Sequence, residues 1–319
     1  MKMKNVKLAI GASLLALSLV ACSGGGNNSG GNNQAANNTA NTANTANANK
    51  EGESGDLDKL GQIAVISRED GSGTRGAFTE ITGLLEKNGD EEVDNTTASA
   101  TVQNSTNGVM TTVAGNPSAI GYISLGSLND TVKALTLEGV EPTAENILSG
   151  DYKLARPFLL VTKGEPKEGS LEADFIHFAL SKEGQAIAEQ EGYVKNEQAE
   201  DYKPGNVSGE ITVAGSTSVT PLMEKLVEAY KKVNSGANIQ IQSNGSSAGI
   251  TAAAEGTAQI GMSSRELKDE EKGNVQGIVL AQDGIAVIVN KDNPAEDITM
   301  EQIKNIFNGS MTAWGELAK

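Results

Sequence analysis

Three times along this chain a short aliphatic run ends in a cluster of Gly, Ser and Thr and then passes into a helix-patterned segment. The junctions are Gly71-Ser72-Gly73-Thr74 in "IAVISREDGSGTRGAF", Gly215-Ser216-Thr217-Ser218 in "ITVAGSTSVTPLMEKL", and Gly245-Ser246-Ser247-Ala248-Gly249 in "IQIQSNGSSAGITAAAEG". Alternating strand and helix patterns lead to α/β layers. Strands are expected over 62–67, 119–124, 157–162, 210–214, 238–242, 258–263 and 284–290, and helices over 75–87, 105–115, 171–191, 219–233, 247–255 and 299–307. Ser or Thr at any one junction is also what ordinary helix capping needs. Three alike suggest more. Each helix start presents free N–H groups and roughly half a positive charge, Gly lets the backbone come close, and hydroxyls add donors. Aimed at one place, three such ends would bind a small anion.

Gly71 to Gly76 also spells G-x-G-x-x-G, with acids at Glu91, Glu92 and Asp94 further on. A dinucleotide fingerprint begins at the strand end, and its acid follows a second strand. Here Arg68-Glu69-Asp70 intervenes, and the acids read as part of a polar loop, "KNGDEEVDN". A P-loop is excluded, since no G-x-x-x-x-G-K-[ST] occurs. Enzyme readings fare poorly. His177 is the only histidine and lies in "ADFIHFAL", where its neighbours imply a packed helix. Neither a triad nor a metal site is visible. Aromatics are 3% of the chain, so the core is expected to be aliphatic, and no basic patch suits nucleic acid.

The first residues read as a secretory leader. Lys2, Lys4 and Lys7 precede an apolar stretch from Leu8 to Ala21, too short to span a bilayer of about 30 Å. Leu19-Val20-Ala21-Cys22 resembles a lipobox, with Cys22, the only cysteine, as the acylated residue; an ordinary signal with an incidental Cys is the plainer alternative. Residues 22–59 then form a lipidated, Asn/Gly/Ala-rich tether with too few large apolar groups to offset its ordering entropy. Loss of residues 1–21, with three lysines and no acid, moves the net charge from −16 to −19. Exposed charge is screened beyond about 8 Å at physiological salt, so an acidic body does not preclude a buried anion site.

The motifs "AGSTSV", "SNGSSAG", "IGMSSREL", "DGIAVIVN", "ITMEQIKNIFNG", "SREDGSGTRGAF", "AIGYIS" and "RPF" together resemble the substrate-binding lipoproteins of phosphate ABC transporters. The resemblance implies a two-lobed type II periplasmic-binding-protein fold, a Venus flytrap, that takes inorganic phosphate into its cleft and delivers it to membrane permease subunits. It implies no catalysis, cofactor or metal, and a lipid-anchored place on the outer face of the cell membrane. The family usually has its GSTSV half first; here the DGSGTR half leads, as in a circular permutation. The implied lobes are 60–154 with 292–319, and 155–291, crossed near 157–162 and 285–290.

Carried over position by position, the resemblance implies phosphate contacts from Arg68, Ser72, Gly73, Thr74, Thr217, Ser218, Ser246 and Ser264, with Asp70 holding Arg68. Without it, Arg68 would read as a surface residue paired to Glu69 or Asp70. Ser264 stands where well-known members have an Asp that accepts the phosphate proton; Asp70, Glu266 or Asp283 could take that part. Another oxyanion, sulfate or molybdate, is the alternative ligand, and a phosphatase-like enzyme or a surface adhesin is the alternative from a different class.

Overall fold

The structure, a computed structural model, describes residues 56–88 and 91–318. The expected leader, Cys22 and most of the tether lie outside the described residues. One strand, β12 (Gln276–Asn290), organises the body. Its first part pairs antiparallel with β8 (Ala155–Thr162), from Gln276 opposite Thr162 to Gly284 opposite Ala155. Its second part pairs antiparallel with β5 (Ala119–Ser124), from Ile285 opposite Ser124 to Val289 opposite Ile120. β12 therefore belongs to two lobes and crosses between them near Gly284, earlier than the boundary at 291 expected from sequence.

On one side of the crossing, β1 (Ala64–Arg68) runs parallel to both β5 and β4 (Thr101–Gln103), and β6 (Val132–Ala134) pairs with the end of β12. On the other, β9 (Gly209–Gly215) runs parallel to both β10 (Ala237–Ser243) and β11 (Ile260–Ser263), and β11 pairs antiparallel with β8. The first lobe carries helices α1 (Gly73–Ile81), α2 (Thr106–Ala114), α3 (Ala144–Ser149) and α9 (Met300–Phe307). The second carries α4 (Leu171–Leu180), α5 (Lys182–Gln190), α6 (Thr220–Val233), α7 (Ser246–Glu255) and the short α8 (Asp269–Lys272). β2 (Leu85–Asn88) and β3 (Glu91–Asp94) form a hairpin, and β7 (Thr136–Leu137) pairs with β13 (Asp297–Ile298).

Strand side chains alternate between faces, and here each face has its own core. Ile285, Val287 and Val289 pack with Val65, Ile120 and Phe78, whereas Ala286 and Ile288 pack with Ile66, Val109 and Ile123. In the second lobe Phe158 and Leu160 join one core, and Leu159 and Val161 the other. This is why β8 and the second half of β12 carry near-continuous apolar runs: both faces are covered there. Ten of the eleven aromatic residues are buried, so the core is not purely aliphatic. Phe78 stacks on Tyr122 with ring centroids 3.9 Å apart, and Phe307 meets Phe78 edge-on at 4.9 Å. That cluster also fixes the end of β1. Tyr122 Oη lies 2.9 Å from Ser67 Oγ and accepts from Arg68 N at 3.3 Å.

Two local expectations change. The helix expected over 171–191 breaks at Ser181, whose hydroxyl donates to Phe178 O at 2.7 Å and accepts from Gly184 N at 3.3 Å, ending α4 and starting α5. The acids at 91–94 lie in β3, not in a loop. Their strand is the antiparallel partner of β2, so they still do not follow a second parallel strand as a dinucleotide site requires.

Candidate anion-binding site

Four strands end beside four helix starts. β1 leads to α1, β4 to α2, β9 to α6 and β10 to α7. α1 and α2 are capped by their own serines: Ser72 Oγ accepts from Arg75 N at 3.3 Å and Ser105 Oγ from Gly108 N at 3.1 Å. α6 and α7 have no side-chain cap. Gly245 begins α7 at φ 95°, a conformation that favours glycine. Gly73 is needed for another reason. A Cβ there would collide with Ser246 Oγ and stand 2.7 Å from Ser264 Oγ, so the start of α1 can approach the second lobe only without one.

Between these ends lies a ring of buried hydroxyls from both lobes. Thr74 Oγ1 is 2.8 Å from Ser218 Oγ, which is 3.1 Å from Thr106 Oγ1. Ser216 Oγ donates to Ser264 Oγ at 2.9 Å, and Ser264 N donates to Ser246 Oγ at 3.1 Å. Ser247 N donates across the cleft to Gly71 O at 3.1 Å. Beside the ring is Arg68, its side chain 2% exposed. Its Nε donates to Glu69 Oε2 at 2.7 Å, and its Nη2 to Glu69 Oε1 at 2.8 Å and Thr217 Oγ1 at 3.0 Å. Nη1 is buried and meets no acceptor among the described residues. An unpaired buried donor costs about 1–3 kcal/mol, and more when it is charged. A guanidinium edge beside hydroxyls and helix N-termini is a place for an oxyanion.

The structure thus brings Arg68, Gly73, Thr74, Thr217, Ser218, Ser246 and Ser264 together. Ser72 is adjacent, with its hydroxyl turned to its own helix as a cap. Asp70 does not hold Arg68: its side chain is 97% exposed and pairs with Arg75 Nη1 at 3.0 Å. The turn after β1 sends Asp70 outward and folds Glu69 back along the guanidinium. Glu266 is exposed and Asp283 is paired with Arg156, so neither carboxylate joins the hydroxyl ring. α4 is a packed helix, as its neighbours imply, and His177 lies on its exposed face.

Thr106 was not anticipated. The fourth junction, "TVQNSTNG", has the same strand, Ser/Thr and Gly order as the other three and could have revealed it. Arg75 is also new to the picture. It donates to Arg68 O at 2.9 Å and to Asp94 Oδ2 at 2.7 Å, tying the end of β1 to the hairpin. A cavity of about 430 Å³ opens beside the ring, lined by groups of both signs including Arg75, Glu92, Arg265 and Lys268. It is far larger than a tetrahedral oxyanion and lies outside the hydroxyl ring, so it reads as the mouth of the cleft and not as the seat. Lys268 Nζ meets Glu92 Oε2 across it at 2.8 Å. Among the described residues no group of three or more His, Cys, Asp or Glu could hold a metal ion, and no helix is long and apolar enough to cross a membrane.

Two lobes joined by crossing strands, with donors from both aimed into the cleft, define a solute-binding protein. A profile of the PBP superfamily domain matches residues 26–183 and 201–319. Phosphate-binding protein PstS 2 of Streptococcus agalactiae serotype V is 51% identical over 261 residues, 81% of this chain and 89% of that protein. A crystal structure of a phosphate ABC transporter phosphate-binding protein from Streptococcus pneumoniae TIGR4 superposes with a TM-score of 0.66 at 50% identity, covering 81% of this chain and 100% of that one. Phosphate-binding protein PstS of Pseudomonas aeruginosa is 36% identical over 131 residues, 36% of this chain and 41% of that protein. The chain belongs to the PBP superfamily and, within it, to the family of these phosphate-binding proteins.

Proposed function

We propose that this protein captures inorganic phosphate in the interlobe cleft and delivers it to the permease of a phosphate ABC transporter. The observation that carries the reading is Arg68 Nη1, buried without an acceptor among the described residues and close to the hydroxyls of Thr74, Thr106, Thr217 and Ser218. Phosphate would accept from Nη1, from the hydroxyls and from the N–H groups opening α6 and α7. Ser264, with a hydroxyl that both donates and accepts, would meet the protonated oxygen. The relatives' names favour phosphate over sulfate or molybdate.

The finer parts of the reading are proposals as well. Cys22 would carry the lipid that holds the protein at the outer face of the membrane. The exchanged order of the halves would be a circular permutation. In its favour, Ile63 N donates to Thr312 O at 2.8 Å and Trp314 N to Gly61 O at 3.0 Å, so the two ends of the body meet in one lobe. The Pseudomonas relative aligns over only about a third of the chain, as collinear alignment of exchanged halves would give.

Calorimetry of the body without residues 1–55 against phosphate, sulfate and molybdate tests the ligand. Phosphate should bind stoichiometrically, and sulfate at least tenfold more weakly. Equal or tighter sulfate binding, or no binding of phosphate, would sink the reading.

A further inference from the structure

A second buried arginine lies where the strands cross. Arg156, the second residue of β8, has a side chain that is 1% exposed. Its Nε and Nη2 donate to Asp283 Oδ2 at 3.1 and 3.0 Å, and its Nη1 donates to Ser264 O at 3.1 Å. Asp283 stands on β12 just before that strand changes lobes, and its Oδ1 accepts from Ser124 Oγ, at the end of β5, at 2.9 Å. The result is one line of hydrogen bonds: Ser124 in the first lobe, Asp283 on one crossing strand, Arg156 on the other, and the backbone of Ser264, whose Oγ belongs to the hydroxyl ring.

We propose that Arg156 and Asp283 are positioning residues of the anion site, coupling the arrangement of the crossing strands to the placement of Ser264. The proposal rests on the anion reading above. Neither residue shares a hydrogen bond with the ring hydroxyls. They act through Ser264, whose N–H is bonded to Ser246 Oγ. The line runs from the end of β5 to the residue after β11 through these two side chains, so a shift of one lobe against the other would reach Ser264 through them. The planar fork matters. One edge holds the carboxylate while the remaining nitrogen reaches the Ser264 carbonyl, a division of donors that an ammonium on a flexible stem cannot reproduce.

The test compares the wild-type body with Arg156→Lys and with the double variant Arg156→Met/Asp283→Leu, which removes both charges so that no buried ion is left alone. Two readouts are taken on folded protein: hydrogen exchange of the Ser264 amide without ligand, and phosphate affinity by calorimetry. In Arg156→Lys the Ser264 amide should exchange at least tenfold faster, and phosphate should bind roughly tenfold more weakly. The double variant should show the same weakening even if its unfolding midpoint is unchanged. A pair that only stabilises the fold would shift the unfolding midpoint and leave both readouts alone. Unchanged Ser264 exchange in Arg156→Lys, or wild-type affinity in the double variant, would overturn the proposal. Faster exchange with no phosphate binding by the wild type would instead refute the anion reading, and with it any ligand-positioning role for the pair.

Discussion

Arg68 and Arg156 are both buried arginines at the ends of strands, and they are wired in opposite ways. Arg156 has acceptors on all three of its nitrogens, supplied by a fully buried carboxylate and a backbone carbonyl. Arg68 has a partly exposed carboxylate, one threonine and a nitrogen with no partner among the described residues. The first arrangement is complete without a ligand; the second is not. A partner on every nitrogen thus separates the arginine proposed to position the crossing strands from the one proposed to receive an anion, although burial alone makes the two look alike.

The largest expected difference follows directly. Arg156→Met would leave Asp283 as an uncompensated buried charge, and breaking such a pair tends to cost about 3–5 kcal/mol of stability. Arg68→Met leaves Glu69, which is 24% exposed and can be solvated, so unfolding should shift by about 1 kcal/mol or less. Phosphate affinity should show the reverse emphasis in this variant, falling by about 2–5 kcal/mol with loss of the guanidinium that bonds Thr217 beside the ring. Urea unfolding and calorimetry on the two variants decide the matter. Equal destabilisation by both changes would erase the distinction drawn from donor saturation.

Smaller effects refine the Arg68 side. Thr74→Ala removes one neutral partner of Ser218 and should weaken phosphate by about 1–2 kcal/mol. Asp70→Asn should change affinity by less than about 0.5 kcal/mol, because that side chain is 97% exposed and pairs with Arg75. A loss at Asp70 as large as that at Thr74 would restore it as the residue that orients Arg68 and overturn the role given to Glu69. The measurement is calorimetric titration of both variants with phosphate under one buffer condition.

What could be read from the sequence tracks how local each signal is. Strands such as β5 and the end of β12 were legible because their residues are apolar on both faces, and the junctions because Gly, Ser and Thr carry their chemistry in residue type. Glu69 and Asp70 are adjacent acids, and which of them faces Arg68 depends on a turn whose Gly71 has φ 83°; composition cannot distinguish them. The first half of β12, "QGIVLAQD", mixes polar and apolar residues because that stretch lies toward the edge of the core, and its strand character comes from pairing with β8. The Arg156–Asp283 pair spans 127 residues of sequence. "RPF" and "DGIAVIVN" are both among the motifs that carry the resemblance, but nothing in either says that they meet.

The pair at the crossing also has a signature in pH. Asp283 is pushed up from 3.8 to about 6, chiefly by burial, while Arg156, the Ser124 hydroxyl and the Gly126 N–H pull it back. Burial likewise pulls Arg156 below its usual value, with Asp283 opposing. An acid whose folded pKa lies above its unfolded one binds its proton more tightly when folded. Its contribution to stability is therefore fully present below about 3.8 and is lost as pH rises through about 6. Near neutral pH that contribution is gone, and replacing a buried pair with apolar groups is often neutral or stabilising by about 1–4 kcal/mol. Unfolding free energies of the wild type and of Arg156→Met/Asp283→Leu, measured without phosphate from pH 4 to pH 8, should diverge. The double variant should gain on the wild type by about 2–3 kcal/mol between pH 4 and 7, as expected for roughly two pKa units, and the difference should then level off. A difference that stays constant across this range would mean that Asp283 ionises as an ordinary aspartate. The hinge carboxylate would then be solvated, and the contrast between a sealed pair at the crossing and an open guanidinium in the cleft would be lost.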